Sequence, residues 1–271
     1  MKKTRKTGRA LAFYRSLLAE YRTDKASFFL YIALRAVVTL IAVLQFFAGN
    51  YETAFYCLFT LLLFLLPPFV EKTFNLKLPT GLEITVLVFI FAAQVLGELA
   101  EFYVKVPLWD TMLHTACGFL AASLGLSLTD LLNRSDRFPV RLSPFFVGLM
   151  SFCFSMTVGV LWEFFEFGMD VLFHTDMQKD YILHSISSIL FHPDGRNTAV
   201  TIGGITDVAV NGESLGLGGY LDIGLYDTMK DLFVNFLGAL TFSVIGFFYT
   251  KRQGRGRSAK VVQSLQIKPK E

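Results

Sequence analysis

Six stretches of the chain stay apolar for longer than a soluble strand or core helix requires: residues 27–48, 53–70, 81–100, 109–132, 144–168 and 227–249. Each is close to the ~20 residues that cross a bilayer core as a helix rising ~1.5 Å per residue. Only helices and closed barrels satisfy their backbone in lipid, and these runs lack the alternation of a barrel strand. The pattern predicts an all-α, polytopic membrane helix bundle with about six transmembrane helices. Pro67-Pro68 predict a break or kink near the end of the second.

The polar stretches divide the rest. Residues 1–26 form a basic segment whose piece 11–21 is amphipathic and is expected along the membrane surface. The six-span domain covers 27–250, and a basic tail covers 251–271. Within the domain one connector is long, about 171–226. Its part 180–191 has the pattern of a short amphipathic helix. Gly203-Gly204 and Asn211-Gly212, beside β-prone runs such as 198–202, predict one or two hairpins. A connector of that length is read either as a lid or as an idle loop.

Composition agrees: 53% of residues are hydrophobic and 29 are Phe. The net charge is only +3, but its distribution is one-sided. If the N-terminus is cytoplasmic, the inner segments 1–26, 71–80, 133–143 and 250–271 carry twenty Lys and Arg, and the outer ones three. That bias predicts two cytoplasmic termini, an outer long loop and a multi-pass protein of the cell (inner) membrane. Basic ends flanking spans fit headgroup contact, and no nucleic-acid partner is expected. Cys57, Cys117 and Cys153 lie in apolar runs without a C-x-x-C and read as buried small hydrophobes. Arg35, inside the first run, either pairs with an acid or snorkels to the headgroups.

The chemistry lies in acids that the apolar runs should not contain. Glu163, Glu166 and Asp170 share one helix face, and the other face is Leu, Trp and Phe. Asp110 and His114 are spaced i, i+4, as are Asp227, Asp231 and Asn235 in succession. With the expected topology these stripes, and Glu98 and Glu101, lie at one depth, with His114, Glu163 and Asp231 within ~10 Å of the outer boundary. Intramembrane acids are costly and usually face a protein interior or a wet cavity. Eight carboxylates then meet few cations, chiefly Lys105 and Lys230. Either some stay protonated or a divalent metal joins them.

Oxygen ligands with one imidazole favour Mg²⁺, Mn²⁺ or Ca²⁺, with Zn²⁺ less suited. The candidate metal ligands are Asp110, His114, Glu163, Glu166, Asp227 and Asp231, and the candidate acid–base groups are His114 and Glu163. Glu98, Asp170 and Asn235 are secondary candidates. Competing readings stand beside this. Asp110 and Asp227 could be N-caps. Trp109 and Trp162 read as interfacial anchors. Asp176, Asp180 and His184 read as loop-surface residues. Gly118, Gly125 and Gly159 read as helix-packing contacts.

Three motifs in sequence order carry a resemblance: Asp110-Thr-Met-Leu-His114 with Gly118-Phe119, Trp162-Glu163-Phe-Phe-Glu166, and Tyr226-Asp227-Thr228-Met-Lys-Asp231 with Gly238-Ala239. Together they resemble the YjdF-type family of bacterial inner-membrane proteins and are more distantly similar to VanZ-like membrane proteins. The resemblance covers roughly residues 100–245 and implies a site on Asp110, His114, Glu163, Glu166, Asp227 and Asp231. It implies no particular reaction.

The preferred expectation is a divalent-metal-dependent hydrolase or transferase acting on a lipid or lipid-linked phosphate at headgroup depth. One alternative is a transporter or ion and proton pathway through the same carboxylates. Another is a non-catalytic membrane protein in which the polar cluster locks the bundle.

Overall fold

A computed structural model of the chain describes residues 25–133 and 142–269. The surface piece expected at 11–21 and the basic residues Arg134, Arg137 and Arg141 lie outside the described residues. The described chain holds six helices long and apolar enough to cross a membrane. The first is α1 (Lys25–Phe47), and the second is divided into α2 (Tyr51–Leu63) and α3 (Leu66–Phe74). The division falls where the two prolines predict it: Pro67 and Pro68 occupy the first turn of α3, where no intrahelical N–H is needed. The third span is α4 (Thr80–Phe91), continued by a π-helical stretch, Ala92–Leu99. After the short α5 (Phe102–Lys105) come α6 (Trp109–Asn133), α7 (Pro144–Phe173) and α8 (Leu225–Lys251), and then α9 (Arg257–Leu265).

The helices form two groups. Val38 of α1, Cys57 and Phe64 of the second span, and Leu87, Ile90 and Val95 of the third bury one apolar cluster. The helices α6, α7 and α8 form the other group, packed through glycine. A Cβ on Gly118 would meet the Asn235 carbonyl oxygen at 2.2 Å, and one on Gly159 would meet the Asn235 amide nitrogen at 2.5 Å. These two glycines and Gly125 are the close-packing contacts that the sequence suggests. Leu161, Phe164, Phe165 and Phe167 of α7 point outward, as lipid-facing residues should. Of the three cysteines, only Cys57 is buried; Cys153 faces outward with them. Arg35 stacks over the Tyr31 ring, 4.3 Å from its centroid.

Two expectations are corrected. Residues 180–191 are not a helix. They form β2 (Tyr181–Leu183), β3 (Ser185–Ser188) and one 3₁₀ turn. Burial alternates with period two along Ser185–Ser188, and β3 finds its antiparallel partner in β4 (Val200–Gly203). β2 pairs with β7 (Tyr220–Asp222). The hairpin at Asn211-Gly212 forms as expected, joining β5 (Ala209–Val210) to β6 (Glu213–Ser214) with positive φ at both turn residues.

The stretch after Lys251 is not a loose basic tail. It turns at Gln253 and Gly254, both left-handed, and returns beneath the bundle as α9. The reason is apolar: Val262, Leu265 and Ile267 join Leu82, Leu126 and Phe242 in a buried cluster. Polar bonds fix the same segment. The Ile267 N–H donates to Ser127 Oγ at 3.0 Å, the Gln266 amide donates to Asp130 Oδ2 at 2.8 Å, and the Tyr249 hydroxyl donates to Gln266 Oε1 at 3.0 Å. Finally β8 (Lys268–Pro269) pairs with β1 (Leu76–Lys77).

A chain ending at Gly256 should therefore unfold in detergent at a clearly lower temperature than the full chain, since each buried aliphatic side chain contributes ~1.5–3 kcal/mol before entropy is subtracted. An unchanged midpoint would show that the segment adds nothing to the fold.

Candidate functional site

The site forms where α6 and α8 begin and α7 ends. His114 is its hub. Its Nε2 lies 3.4 Å from Asp110 Oδ1 and 3.9 Å from Asp231 Oδ2, and its Nδ1 lies 3.8 Å from Glu163 Oε1. The imidazole thus joins a carboxylate of its own helix to carboxylates of both neighbours. Glu163 and Asp231 are deeply buried, with side chains 5% and 2% exposed. Glu166 is buried one turn along α7 from Glu163, and the Trp162 indole N–H donates to its Oε1 at 2.8 Å. Trp162 therefore orients an acid as well as facing outward. Ligand atoms of Asp110, His114 and Asp231, and of His114, Glu163 and Glu166, lie within 4.8 Å of one another in each set.

Lys230 supplies the positive charge. Its ammonium bonds Asp227 Oδ1 at 2.8 Å and lies 3.5 Å from Asp110 Oδ2 and 3.6 Å from Asp231 Oδ1. Asp227 also accepts the Lys179 backbone N–H at 2.8 Å, so it serves mainly to hold the lysine and the loop. The N-cap readings of Asp110 and Asp227 do not describe these positions: α8 is capped by Gly224, and both acids project from a first helical turn into the cluster. Lys105 is no counter-ion here, because it pairs with the exposed Glu101.

The long connector bonds to the start of α8 beside the cluster. Gln178 donates to Thr228 Oγ1 at 2.5 Å, and the Tyr181 hydroxyl accepts from Lys230 at 3.2 Å. Asp170 belongs to this connector and not to the cluster. Its carboxylate accepts from Thr175 Oγ1 and from the N–H groups of Met177 and Gln178, which locks the chain as it leaves α7. Asp222 does the same before α8, accepting the Tyr226 N–H at 2.9 Å. Asn235 lies one turn deeper than Asp231, between Gly118 and Gly159, as a packing residue whose amide reaches Met156 Sδ at 3.7 Å. Glu98 is exposed at the end of the π-helical stretch. Asp176 pairs with Lys179, and His184 bonds the Ile205 carbonyl, both on the loop.

Tyr103 is the residue that the sequence pattern did not single out. Burial holds its phenol well above the usual tyrosine range, and the nearby carboxylates of Glu98, Asp110, Glu166 and Asp231 add to the effect. Its ring takes the place of a side chain at Gly97, where a Cβ would lie 2.3 Å from Tyr103 Cε2. A π-helical register, often found at functional sites, brings Gly97 to that contact. The only sequence signal for Tyr103 is its place in the short link between the third and fourth apolar runs.

Three carboxylate oxygens of the cluster, Asp110 Oδ2, Glu163 Oε2 and Asp231 Oδ1, are buried without a hydrogen-bond partner. The Lys230 ammonium lies 3.5 Å from the first and 3.6 Å from the last. Buried polar atoms are nearly always bonded, so such oxygens are suited to taking a cation or a proton. One imidazole with several carboxylates is a donor set suited to a divalent ion. Because His114 presents one nitrogen to each acid group, either set leaves its other nitrogen against a carboxylate that fixes the ring.

The curated proteins and the solved structures that were compared give no match. A family model described as predicted membrane protein (DUF2238) matches residues 29–252, which include all six apolar helices nearly whole and every residue of the cluster. The chain belongs to this family of predicted membrane proteins.

Proposed function

We propose that the cluster is a divalent-cation site at the outer surface of the cell membrane, and that the protein uses it to hydrolyse or transfer a lipid or lipid-linked phosphate. The observation that carries this reading is the set of buried carboxylate oxygens on Asp110, Glu163 and Asp231, gathered around His114, that accept no hydrogen bond. Asp110, His114 and Asp231 would hold the ion, with Glu163 and Glu166 as the adjoining set. Such an ion polarises a phosphoryl oxygen and lowers the pKa of bound water. Around it, His114 and Glu163 would move a proton, and the Lys230 ammonium would bind an anionic oxygen. The outward placement rests on the twenty-to-three bias of Lys and Arg. In this reading the kinship extends to VanZ-like proteins through the acid–His pair and the Asp231, Asn235, Gly238 run.

The transport alternative is less well supported. Serines do continue the polar interface away from the site, but their hydroxyls are committed. Ser155 donates to the Gly118 carbonyl at 2.7 Å and Ser151 to the Ala122 carbonyl at 2.6 Å. Leu126 and Phe242 fill the space beyond. A purely structural lock would leave no buried oxygens without partners.

Metal content of the purified protein tests the proposal. Wild type should retain near-stoichiometric Mn²⁺, Mg²⁺, Ca²⁺ or Zn²⁺, and Asp231→Ala and Glu163→Ala should lose it while remaining folded. A wild type that holds no divalent ion at ordinary concentrations would end the reading.

A further inference from the structure

At the end of the bundle remote from the acids, α8 and α9 enclose a groove of about 380 Å³. Val244 and Phe248 of α8 and Val261 of α9 line it and are exposed. Arg252 and Arg257 stand at one end of it, with Ser258 between the helices. Val244 also lines a second hollow, about 300 Å³, running between α7 and α8 over Phe152 and Phe247. An apolar trough thus leads from a lipid-facing helix interface to a pair of guanidinium groups.

Two further features point to an anion at the basic end. Ser258 Oγ is buried without a hydrogen-bond partner. The helix α9 begins at Gly256 with no side-chain cap; the Ala259 N–H donates to the Gly256 carbonyl at 3.2 Å, and no capping side chain serves the N–H groups of Arg257 and Ser258. Among the groove residues no acid faces the arginines. Guanidinium forks beside a buried hydroxyl are phosphate-binding chemistry. The adjoining trough takes an acyl chain.

We infer that this groove is a specific site for an anionic phospholipid of the surrounding bilayer. Its phosphate lies on Arg252, Arg257 and Ser258, and an acyl chain lies over Phe248 and Val244. The lipid would join α9 to α8 and so secure the returning segment. Anionic lipid is abundant on the cytoplasmic face, where the basic residues place this end.

The test uses the full chain, purified and delipidated in neutral detergent, then titrated with mixed micelles containing phosphatidylglycerol or phosphatidylcholine. Thermal unfolding and native mass spectrometry read the binding. Wild type should be stabilised by phosphatidylglycerol alone and should retain it. Arg252→Ala with Arg257→Ala should bind roughly tenfold or more weakly, because each basic group at a membrane surface contributes about a factor of five. The charge-matched pair Arg255→Ala with Lys260→Ala should bind as wild type does. If the first pair does not fold, Val261→Trp, which fills the groove and keeps both arginines, should show the same loss. Equal loss in the two charge pairs, no loss in Val261→Trp, or the same stabilisation by inorganic phosphate would overturn the proposal.

Discussion

Lys230→Met should destabilise the purified protein by about 3 kcal/mol, the scale on which removing one partner of a buried ion network leaves its opposite charges uncompensated. Among the described residues, this ammonium is the one basic side chain that reaches Asp110, Asp227 and Asp231 together. Methionine keeps most of the stem and its packing, so the charge is what is lost. Asp227→Asn in the same chain should recover part of the loss, because it removes the carboxylate that sits closest to the lysine, at 2.8 Å. Millimolar Mn²⁺ should stabilise Lys230→Met more than wild type, since a divalent ion can take over the neutralising role. Thermal unfolding in detergent, with and without the metal, reads all three effects. A variant that unfolds at the wild-type temperature would mean that the acids are neutral in the folded protein and that the lysine is idle.

The same lysine marks how far the sequence can be read. The six spans, the proline break and the stripes on α6, α7 and α8 follow from periodicity, because a helix in lipid has few other ways to arrange polar residues. The convergence of Asp110, His114, Glu163 and Asp231 was therefore legible, and the structure places them together. Two things were not. A short helix and a β-run of serine and isoleucine have similar local patterns, and only the partner strand Val200–Gly203 decides between them. The basic residues after Lys251 look like a solvated tail until Val262, Leu265 and Ile267 are seen to cover an apolar surface made by Leu82, Leu126 and Phe242. Both errors concern long-range contacts, which periodicity does not carry. Tyr103 belongs with them, since its place beside the acids depends on a π-helical turn that leaves Gly97 against its ring.

Gly238→Val should cost about 3 kcal/mol or more, at or beyond the usual upper range for overpacking a close contact. A Cβ at Gly238 would lie 2.1 Å from the Thr115 carbonyl oxygen and 2.9 Å from the Phe119 nitrogen. Across the same interface, a Cβ at Gly118 would meet the Asn235 carbonyl oxygen. The helices α6 and α8 therefore touch backbone to backbone at two reciprocal points. No rotamer change can relieve a clash with backbone atoms, so the helices must separate. That separation acts directly on the site, because His114 adjoins Thr115 on α6, Asp110 lies little more than a turn before it, and Asp231 rides on α8. Gly238→Val should thus lower both the unfolding temperature and any retained divalent metal. Gly168→Ala supplies the control. A Cβ there meets nothing within 4 Å, so the helix α7 should tolerate it or gain up to ~1 kcal/mol from the better helix former. If Gly238→Val lost stability but kept its metal, the ion would have to be held by α7 with His114 alone, and the set containing Glu163 and Glu166 would be favoured over the one containing Asp231.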